Sequence, residues 1–321
     1  MPDSKRLRGG ASAPRLSLAQ SWRSDGNHSR EVGGLMTERH MIIDVALCEN
    51  CNNCVLATKD EYVGNDFPGY TRSHPPQGAG VVQIERFVRG TGHLVDTAYL
   101  PKMCNHCADA PCMKHAPDAI SRRPDGIVMI DAGKAHGRKD IVDSCPYGAI
   151  IWNEALQVPQ QWIFDAHLLD QGWKEPRVQS VCPTAAFTTL RASAEEMARK
   201  AAVEGLEVLK PELGARPRIY YRNLHRCHAL FIAGSVAILH HGIKDCVEGA
   251  KVTLAKVTLG GANLHANLGT DAFGDFKFDR IAKESGVYRL KIEHERFGYA
   301  EREIDIGNES LNLGEILLPG G

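Results

Sequence analysis

The sequence predicts an α+β fold in two parts, a loop-rich module that holds most of the cysteines and a small antiparallel β-sandwich or barrel that follows it. Two observations support this prediction. Eight of the ten cysteines lie between residues 48 and 182, in tight groups that are typical of metal-binding loops. From about residue 245, apolar and polar residues alternate with period two and Gly and Asn stand at the breaks, which is typical of short strands joined by turns.

The pattern divides the chain into four segments. Residues 1–40 are rich in Ser, Arg and Gly and are predicted to be a disordered tail or the product of a start codon placed too early. Residues 41–192 form the cysteine module, which is predicted to be ferredoxin-like. Residues 193–244 combine a helix, marked by the capping box Ser193-Ala-Glu-Glu196, with a linker or docking segment. Residues 245–321 form the β-domain.

Charge and hydropathy give no sign of a nucleic acid or membrane partner. Lys and Arg number 38 against 39 Asp and Glu, a formal net charge of -1, so there is no basic excess for polyanions. The longest apolar stretch, residues 229–239, is shorter than the ~18 residues that span a bilayer and predicts buried strands around Gly234. Residues 1–40 contain no apolar core of a secretory signal, so a cytoplasmic location is predicted.

The cysteine spacing predicts iron–sulfur chemistry. A 4Fe-4S cubane needs four convergent thiolates, and ferredoxins supply three from one tight loop and a fourth from a distant Cys-Pro. Neither triad here has a fourth cysteine close behind it, so two Cys-Pro positions are the natural closing ligands, and eight thiolates suffice for two clusters. The triads and closing positions are Cys48-x2-Cys51-x2-Cys54, Cys104-x2-Cys107-x4-Cys112, Cys145-Pro146 and Cys182-Pro183.

Structural zinc is the competing interpretation, because C-x2-C pairs also build four-cysteine zinc sites. Zinc sites usually come as paired C-x2-C knuckles, whereas triads closed by Cys-Pro follow the ferredoxin pattern. Cys227 and Cys246 are isolated and are predicted to be buried apolar thiols. No group of residues supplies acid–base or nucleophilic chemistry on a substrate, so the chain is not predicted to be an enzyme by itself.

Further motifs lie between residues 41 and 318, among them Phe67-Pro-Gly-Tyr70, Asp125-Gly-Ile-Val128, Cys145-Pro-Tyr-Gly148 and Ala166-His-Leu-Leu-Asp170. Together with the triads, they resemble the iron–sulfur subunits of the molybdopterin oxidoreductase (dimethyl sulfoxide reductase) family. Within that family the resemblance is to the small subunits of pyrogallol–phloroglucinol transhydroxylases. The β-domain resembles carboxypeptidase-regulatory or Cna-B-like domains, for which an interaction role is predicted.

The resemblance implies which cysteines share a cluster, because four-cluster members close each triad with a cysteine from another motif. Two complete sets remain: Cys48, Cys51, Cys54 and Cys182 for cluster 1, and Cys104, Cys107, Cys112 and Cys145 for cluster 2. At the positions of two further sets this chain has no cysteine. The first set of positions holds Thr58, Trp162, Asp165 and Val178, and the second holds Ala116, Ala135, Arg138 and Ile141.

The transhydroxylase small subunits keep three clusters, so the absence of thiols at Trp162 and Asp165 is a departure from them. Asp165 is expected to be structural rather than an iron ligand. Trp162 and Arg138 are expected to fill volume that a cluster would have occupied.

The resemblance also implies a function. The chain would be the electron-transfer subunit, with two 4Fe-4S clusters, of a heterodimer whose large catalytic subunit alone carries molybdopterin. That catalytic partner would act on phenolic aromatics as a hydroxylase or a transhydroxylase. No nucleic acid partner and no membrane span are expected. The alternative is a zinc-stapled or cluster-stapled structural protein without an electron relay.

Overall fold

The computed structural model describes residues 37–78, 80–92 and 94–320. Most of the predicted tail, residues 1–36, lies outside the described residues. The first strand begins at Glu38, inside the segment predicted as tail, because its residues pair with Phe187–Ala192 across a regular antiparallel ladder. Among the described residues no helix is long and apolar enough to cross a membrane. The cytoplasmic location stays a prediction.

Short helices lie mainly in the first part of the chain, and long strands dominate the second. The helices are α1 (Asn53–Tyr62), α2 (Pro111–His115), α3 (Asp140–Asp143), α4 (Ala166–Asp170), α5 (Arg177–Ser180), α6 (Ala194–Glu204) and α7 (His225–His228), with a 3-10 turn at Pro211–Leu213. The strands of the first part are β1 (Glu38–Asp44), β2 (Gln83–Thr91), β3 (Leu94–Lys102), β4 (Ile120–Arg122), β5 (Val128–Ile130), β6 (Ile151–Asn153), β7 (Val158–Gln160), β8 (Phe187–Ala192) and β9 (Ile219–Arg222). Those of the second are β10 (Leu230–His240), β11 (Ile243–Cys246), β12 (Lys251–Thr258), β13 (Gly261–Gly269), β14 (Asp275–Ile281), β15 (Gly286–His294), β16 (Gly298–Ile306) and β17 (Leu311–Leu318).

A three-stranded sheet organises the cysteine module. β1 lies between β8, which is antiparallel to it, and β9, which is parallel to it. The hairpins β2–β3, β4–β5 and β6–β7 are separate two-stranded sheets, and the remaining connections are loops and short helices. Met41 and Ile43 of β1 are fully buried in a core that also contains Cys54 and Trp162. The sheet therefore anchors the loop that carries the first cysteine triad.

Helix α6 confirms the predicted capping box. The backbone N–H of Glu196 donates to Ser193 Oγ at 3.2 Å, and the N–H of Ser193 donates to the Glu196 carboxylate at 2.8 Å. The helix ends at Gly205, whose φ of 61° is the left-handed conformation that favours glycine. Met197 is buried against Ile42 of β1, so α6 packs on the module sheet.

The predicted linker divides between the two parts of the protein. β9 extends the module sheet by pairing in parallel with Met41–Asp44. The apolar stretch forms one continuous strand, β10, rather than strands on either side of Gly234, so the β-domain begins before the predicted boundary at residue 245. A Cβ at Gly234 would lie 3.0 Å from both the Gly314 carbonyl and the Phe276 ring, and glycine permits this close approach.

The β-domain contains two four-stranded sheets that share one core. One sheet holds β10, β11, β14 and β17, and the other holds β12, β13, β15 and β16. Val236 and Phe278 from the first sheet pack with Leu254 and Leu290 from the second. The predicted purely antiparallel order is wrong for β10 and β17, which run parallel, because the chain reaches β17 by crossing from β16 of the other sheet. The predicted succession of a loop-rich module that mixes helices and strands and a sheet-rich region is confirmed.

Partly buried charges join the β2–β3 hairpin to the β-domain. The Arg89 side chain on β2 is 8% exposed and donates to Asp96 on β3 at 2.6 Å and to Asp279 on β14 at 2.6 Å. Arg226 donates to Asp96 at 2.5 Å, and Lys277 lies 3.6 Å from Asp96 and 3.5 Å from Asp279. We call these five residues the ion cluster.

The buried His40 predicts a loss of stability in mild acid. Burial, reinforced by the charge of Arg218, lowers the pKa of His40 to about 4. The folded-state pKa of His40 lies below the unfolded one, so the unfolded chain takes up a proton at a higher pH than the folded chain does. The full stability of the folded state is therefore present above about pH 6.5, and part of it is lost as the pH falls toward about 4. The free energy of unfolding of the parent should fall between about pH 7 and pH 5. In a His40→Phe variant we expect this fall to be smaller by roughly 1 to 2 kcal/mol. Urea denaturation at both pH values measures this difference, and equal losses would contradict the assignment to His40.

Candidate iron–sulfur sites

Site 1 is the group formed by Cys48, Cys51, Cys54 and Cys182. The loop after β1 carries Cys48 and Cys51, and Cys54 stands in the first turn of α1. Asn50 and Asn52 turn this loop with φ values of 57° and 60°, a conformation that asparagine tolerates better than most residues. Cys182 follows α5, which packs against α1, and Asn53 Nδ2 donates to the Val181 carbonyl at 3.4 Å. The structure therefore brings the first triad and Cys182 together.

The thiols of Cys48, Cys54 and Cys182 share one core, and the thiols of site 1 affect one another's pKa. Burial, reinforced by the thiols of Cys48, Cys51 and Cys182, raises the pKa of Cys54 to about 12. Burial also raises the pKa of Cys48, and Cys182 and Cys51 raise it further. Cys51 is exposed, so this site reaches the protein surface. The backbone N–H of Ala186 lies 3.3 Å from Cys182 Sγ, a contact that stabilises a thiolate.

Site 2 is the group formed by Cys104, Cys107, Cys112 and Cys145. The first two lie in the loop after β3, Cys112 lies on α2, and Cys145 follows α3. All four line one cavity, which Tyr147, Gln161 and Val128 also line. The structure thus places Cys145 with the second triad.

Burial has the same effect on the thiols of site 2. It raises the pKa of Cys107 to about 12 and that of Cys112 to about 11, and in both cases Cys145 is the next cause. Burial also raises the pKa of Cys104 well above its ordinary value, again reinforced by Cys145. The Cys145 thiol is therefore close to every member of the triad.

Both donor sets fit a 4Fe-4S cluster. A cubane takes four cysteine thiolates, and each site offers four thiols within a protein interior or at its edge. The raised pKa values apply to thiols that bind no metal ion. A bound metal would lower these pKa values and deprotonate the thiols. Within the part of the chain that the structure describes, no three His, Cys, Asp or Glu side chains converge on one metal ion. A cubane needs four thiolates around one cluster but not three ligands on one ion, because each thiolate binds a different iron.

At the first set of ligand positions without cysteine, an aromatic ring and a hydrogen-bonded carboxylate occupy the protein interior. Trp162 is fully buried, and its Nε1 lies 3.3 Å from Asp165 Oδ1. Asp165 is 2% exposed and also accepts hydrogen bonds from the Tyr62 hydroxyl at 2.5 Å and the Arg177 backbone N–H at 2.7 Å. Thr58, also buried, donates to the Cys54 carbonyl at 2.7 Å.

The second set without thiols is closed by aliphatic side chains. Ala116, Ala135 and Ile141 are fully buried in a core that contains Cys107. Arg138 does not fill buried volume as expected. Its guanidinium is about one third exposed and pairs with Asp118 and Asp140 on the surface, since a buried guanidinium without such partners would be costly.

His106, between two ligand positions of site 2, is 1% exposed. Its Nδ1 accepts a hydrogen bond from the Val128 N–H at 3.1 Å and lies 3.8 Å from Cys104 Sγ. Among the described residues its Nε2 has no hydrogen-bond partner. The rings of Trp162 and Phe164 are its neighbours, with centroids 5.8 Å and 5.5 Å away.

Tyr147 and Gln161 line site 2, Tyr62 bonds Asp165, and none of the three was predicted from the sequence as a functional residue. Tyr147 could have been found, since it follows the Cys145-Pro146 closure directly. Tyr62 and Gln161 carry no such signal, because only the folding of distant segments brings them to the sites. The two remaining cysteines lie outside both sites, and the expected burial is wrong for Cys246, which is exposed because β11 lies at a sheet edge, whereas Cys227 is partly buried.

The comparison with known proteins agrees with this geometry. A family model described as a 4Fe-4S dicluster domain matches residues 95–191, a span that holds all of site 2 and Cys182. The pyrogallol hydroxytransferase small subunit of Pelobacter acidigallici is 42% identical over 286 residues, which cover 88% of this chain and 100% of that protein.

More distant relatives match a shorter region. One component of the tetrathionate reductase of Salmonella typhimurium is 29% identical over 57% of this chain and 72% of its own length. One component of the sulfite dehydrogenase of Allochromatium vinosum is 28% identical over 58% of this chain and 83% of its own length.

Proposed function

The chain belongs to the family of the pyrogallol hydroxytransferase small subunit, and we propose that it holds two 4Fe-4S clusters and transfers electrons for a large molybdopterin-containing catalytic subunit. In this proposal cluster 1 is bound at site 1 and cluster 2 at site 2. The relatives with shorter matches are components of a reductase and a dehydrogenase, which supports a redox role.

The observation that carries the proposal is the presence of two separate groups of four cysteines, each assembled from a triad and a distant Cys-Pro. Cys182 packs in one core with Cys48 and Cys54 of the first triad, and Cys145 lines one cavity with all of the second triad. Among the described residues, no cysteine outside the eight lines the cavity of site 2 or affects the pKa of the site 1 thiols.

A bound 4Fe-4S cluster supplies a one-electron couple whose potential depends on burial, charge and hydrogen bonds to sulfur. The chain's own residues set these conditions differently at the two sites. At site 1 the Ala186 N–H lies beside Cys182 Sγ and Cys51 is open to solvent. At site 2 His106 lies beside Cys104, and none of the four cysteines is fully exposed.

The partner in this proposal carries the catalysis. We propose a heterodimer in which the large subunit binds molybdopterin and hydroxylates or transhydroxylates a phenolic aromatic, while this chain supplies no acid, base or nucleophile. The β-domain, which we propose to be Cna-B-like, would serve as an interaction module. Its two sheets support that role, because neither contains a group of cysteines.

A redox titration of the purified complex tests the proposal. We expect iron for two clusters per chain and two one-electron transitions in electron paramagnetic resonance (EPR) spectra. Both clusters should change oxidation state when a phenolic substrate and an electron acceptor are added under anaerobic conditions.

Two results would contradict it. Zinc in place of iron, with no visible absorbance that dithionite bleaches, would identify a zinc-stapled protein. Clusters that are present but never change oxidation state during turnover would identify a structural role without electron transfer.

A further inference from the structure

A buried array of four side chains extends from site 2 toward α1 and α5, the two helices beside site 1. Its members are His106, Trp162, Asp165 and Tyr62, all at most 2% exposed. We propose that this array is the electron-coupling element between cluster 1 and cluster 2, in the place where a ligand set has lost its thiols. The inference rests on the proposed function, since it requires that both sites hold clusters.

The array begins beside site 2. His106 Nδ1 is 3.8 Å from Cys104 Sγ, and the imidazole ring lies 5.8 Å from the Trp162 ring between centroids. Gln161, the residue before Trp162, lines the cavity of site 2 and donates to the Val128 carbonyl at 2.8 Å. Trp162 is thus held against the loop that carries the second triad.

Hydrogen bonds continue the array toward site 1. The Trp162 indole donates to Asp165, which also accepts from Tyr62 at the end of α1, the helix whose first turn holds Cys54. The other oxygen of Asp165 accepts from the N–H of Arg177, the first residue of α5, and Cys182 follows that helix. Both segments that build site 1 are therefore bonded to the same carboxylate.

The packing supports a continuous path. Trp162 stacks on Phe164 with centroids 4.8 Å apart, and both lie in one core with Cys54, Cys48 and Cys182. Electron tunnelling decays faster across gaps between atoms than along bonds, hydrogen bonds and close contacts. A close-packed aromatic and hydrogen-bonded array is for that reason a better conductor than a loosely filled volume.

The other set without thiols supplies a contrast within the same molecule. Its buried positions hold Ala116, Ala135 and Ile141, which pack with cysteines of site 2 but with none of site 1. If replacement of lost ligands served packing alone, aliphatic side chains would suffice at both places. Among the described residues of the two sets, a buried aromatic ring and a buried hydrogen-bonded carboxylate stand only at the set that holds Trp162 and Asp165.

In the proposed step one electron leaves the reduced cluster and enters the oxidised one. No bond forms or breaks, and no proton moves. The four side chains provide coupling and are not themselves oxidised or reduced.

The test is a Trp162→Leu variant of the complete complex. A rapid photoreductant injects one electron under anaerobic conditions, and freeze-quench EPR follows its redistribution between the clusters. We expect redistribution to slow several-fold, while both midpoint potentials and the iron content stay at the values of the parent. Trp173→Leu is the matched control, because Trp173 is 46% exposed and outside the array, and it should leave the rate unchanged.

A second variant keeps the test decisive if Trp162→Leu does not assemble. Trp162→Phe retains a ring but loses the indole N–H that bonds Asp165, so we expect a smaller slowing. A parental rate in whichever of the two variants assembles overturns the inference. That result would leave the proposed function intact as long as both clusters are still reduced and reoxidised in turnover.

Discussion

Replacing Cys182 with alanine is expected to abolish one cluster and leave the other in place. Cys182 is the only cysteine that the structure adds to the first triad, so the variant leaves three thiols at site 1 and four at site 2. Iron and acid-labile sulfide should fall by about half, since two equal clusters share the total. One set of EPR transitions should disappear and the other should keep its midpoint potential.

Two further variants control this experiment. Cys246→Ala removes an exposed thiol that lies outside both sites and should keep the full iron content. Cys145→Ala should remove the complementary set of EPR transitions, because Cys145 closes site 2. If Cys182→Ala and Cys145→Ala removed the same transitions, or if Cys182→Ala kept its full iron content, the pairing of closing cysteines with triads would be refuted.

The ligand pattern could be predicted from the sequence because cysteine spacing is local. Each triad lies on one short stretch of chain, a loop and the first turn of the helix that follows it, so its convergence follows from short-range geometry alone. The pairing of Cys182 with the first triad depended on resemblance, since the closing cysteine is far away in sequence and spacing does not determine it. The structure adds the physical link, which is the packing of α5 on α1.

The residues around the sites were harder to predict. Nothing local marks Tyr62 as the partner of Asp165, because the two are separated by 103 positions and meet only after α1 and α4 fold against each other. The boundary of the β-domain was missed for a similar reason. The apolar sequence of β10 indicates a buried strand, but its assignment to the second part depends on pairing with β14 and β17, which follow much later in the chain.

Replacing Arg89 with methionine is expected to weaken the attachment of the β-domain to the module. The guanidinium bridges Asp96 of the β2–β3 hairpin and Asp279 of β14, and it also donates to the Ala229 carbonyl at 3.2 Å. Burial alone would raise the pKa of Asp96, but hydrogen bonds from Arg226 and Arg89 outweigh it and hold the pKa far below the ordinary value. Without Arg89 the two carboxylates lose a shared cation. The loss should be at most about 3 kcal/mol in free energy of unfolding, the lower end for breaking a buried ion pair, since these carboxylates are partly exposed and Lys277 and Arg226 remain.

Arg289→Met is the matched control, because Arg289 pairs with Glu301 and Glu303 on an exposed face of β15 and β16. Such exposed pairs contribute less than about 1 kcal/mol, so this variant should unfold close to the parent in urea. The depressed pKa of Asp96 adds a second signature. The contribution of ionised Asp96 to the free energy of unfolding is complete above about pH 4 and is lost as the pH falls further. The difference in free energy of unfolding between the parent and Arg89→Met should therefore shrink below that pH. Equal destabilisation by the two arginine variants would show that the bridge made by Arg89 is no stronger than a surface pair.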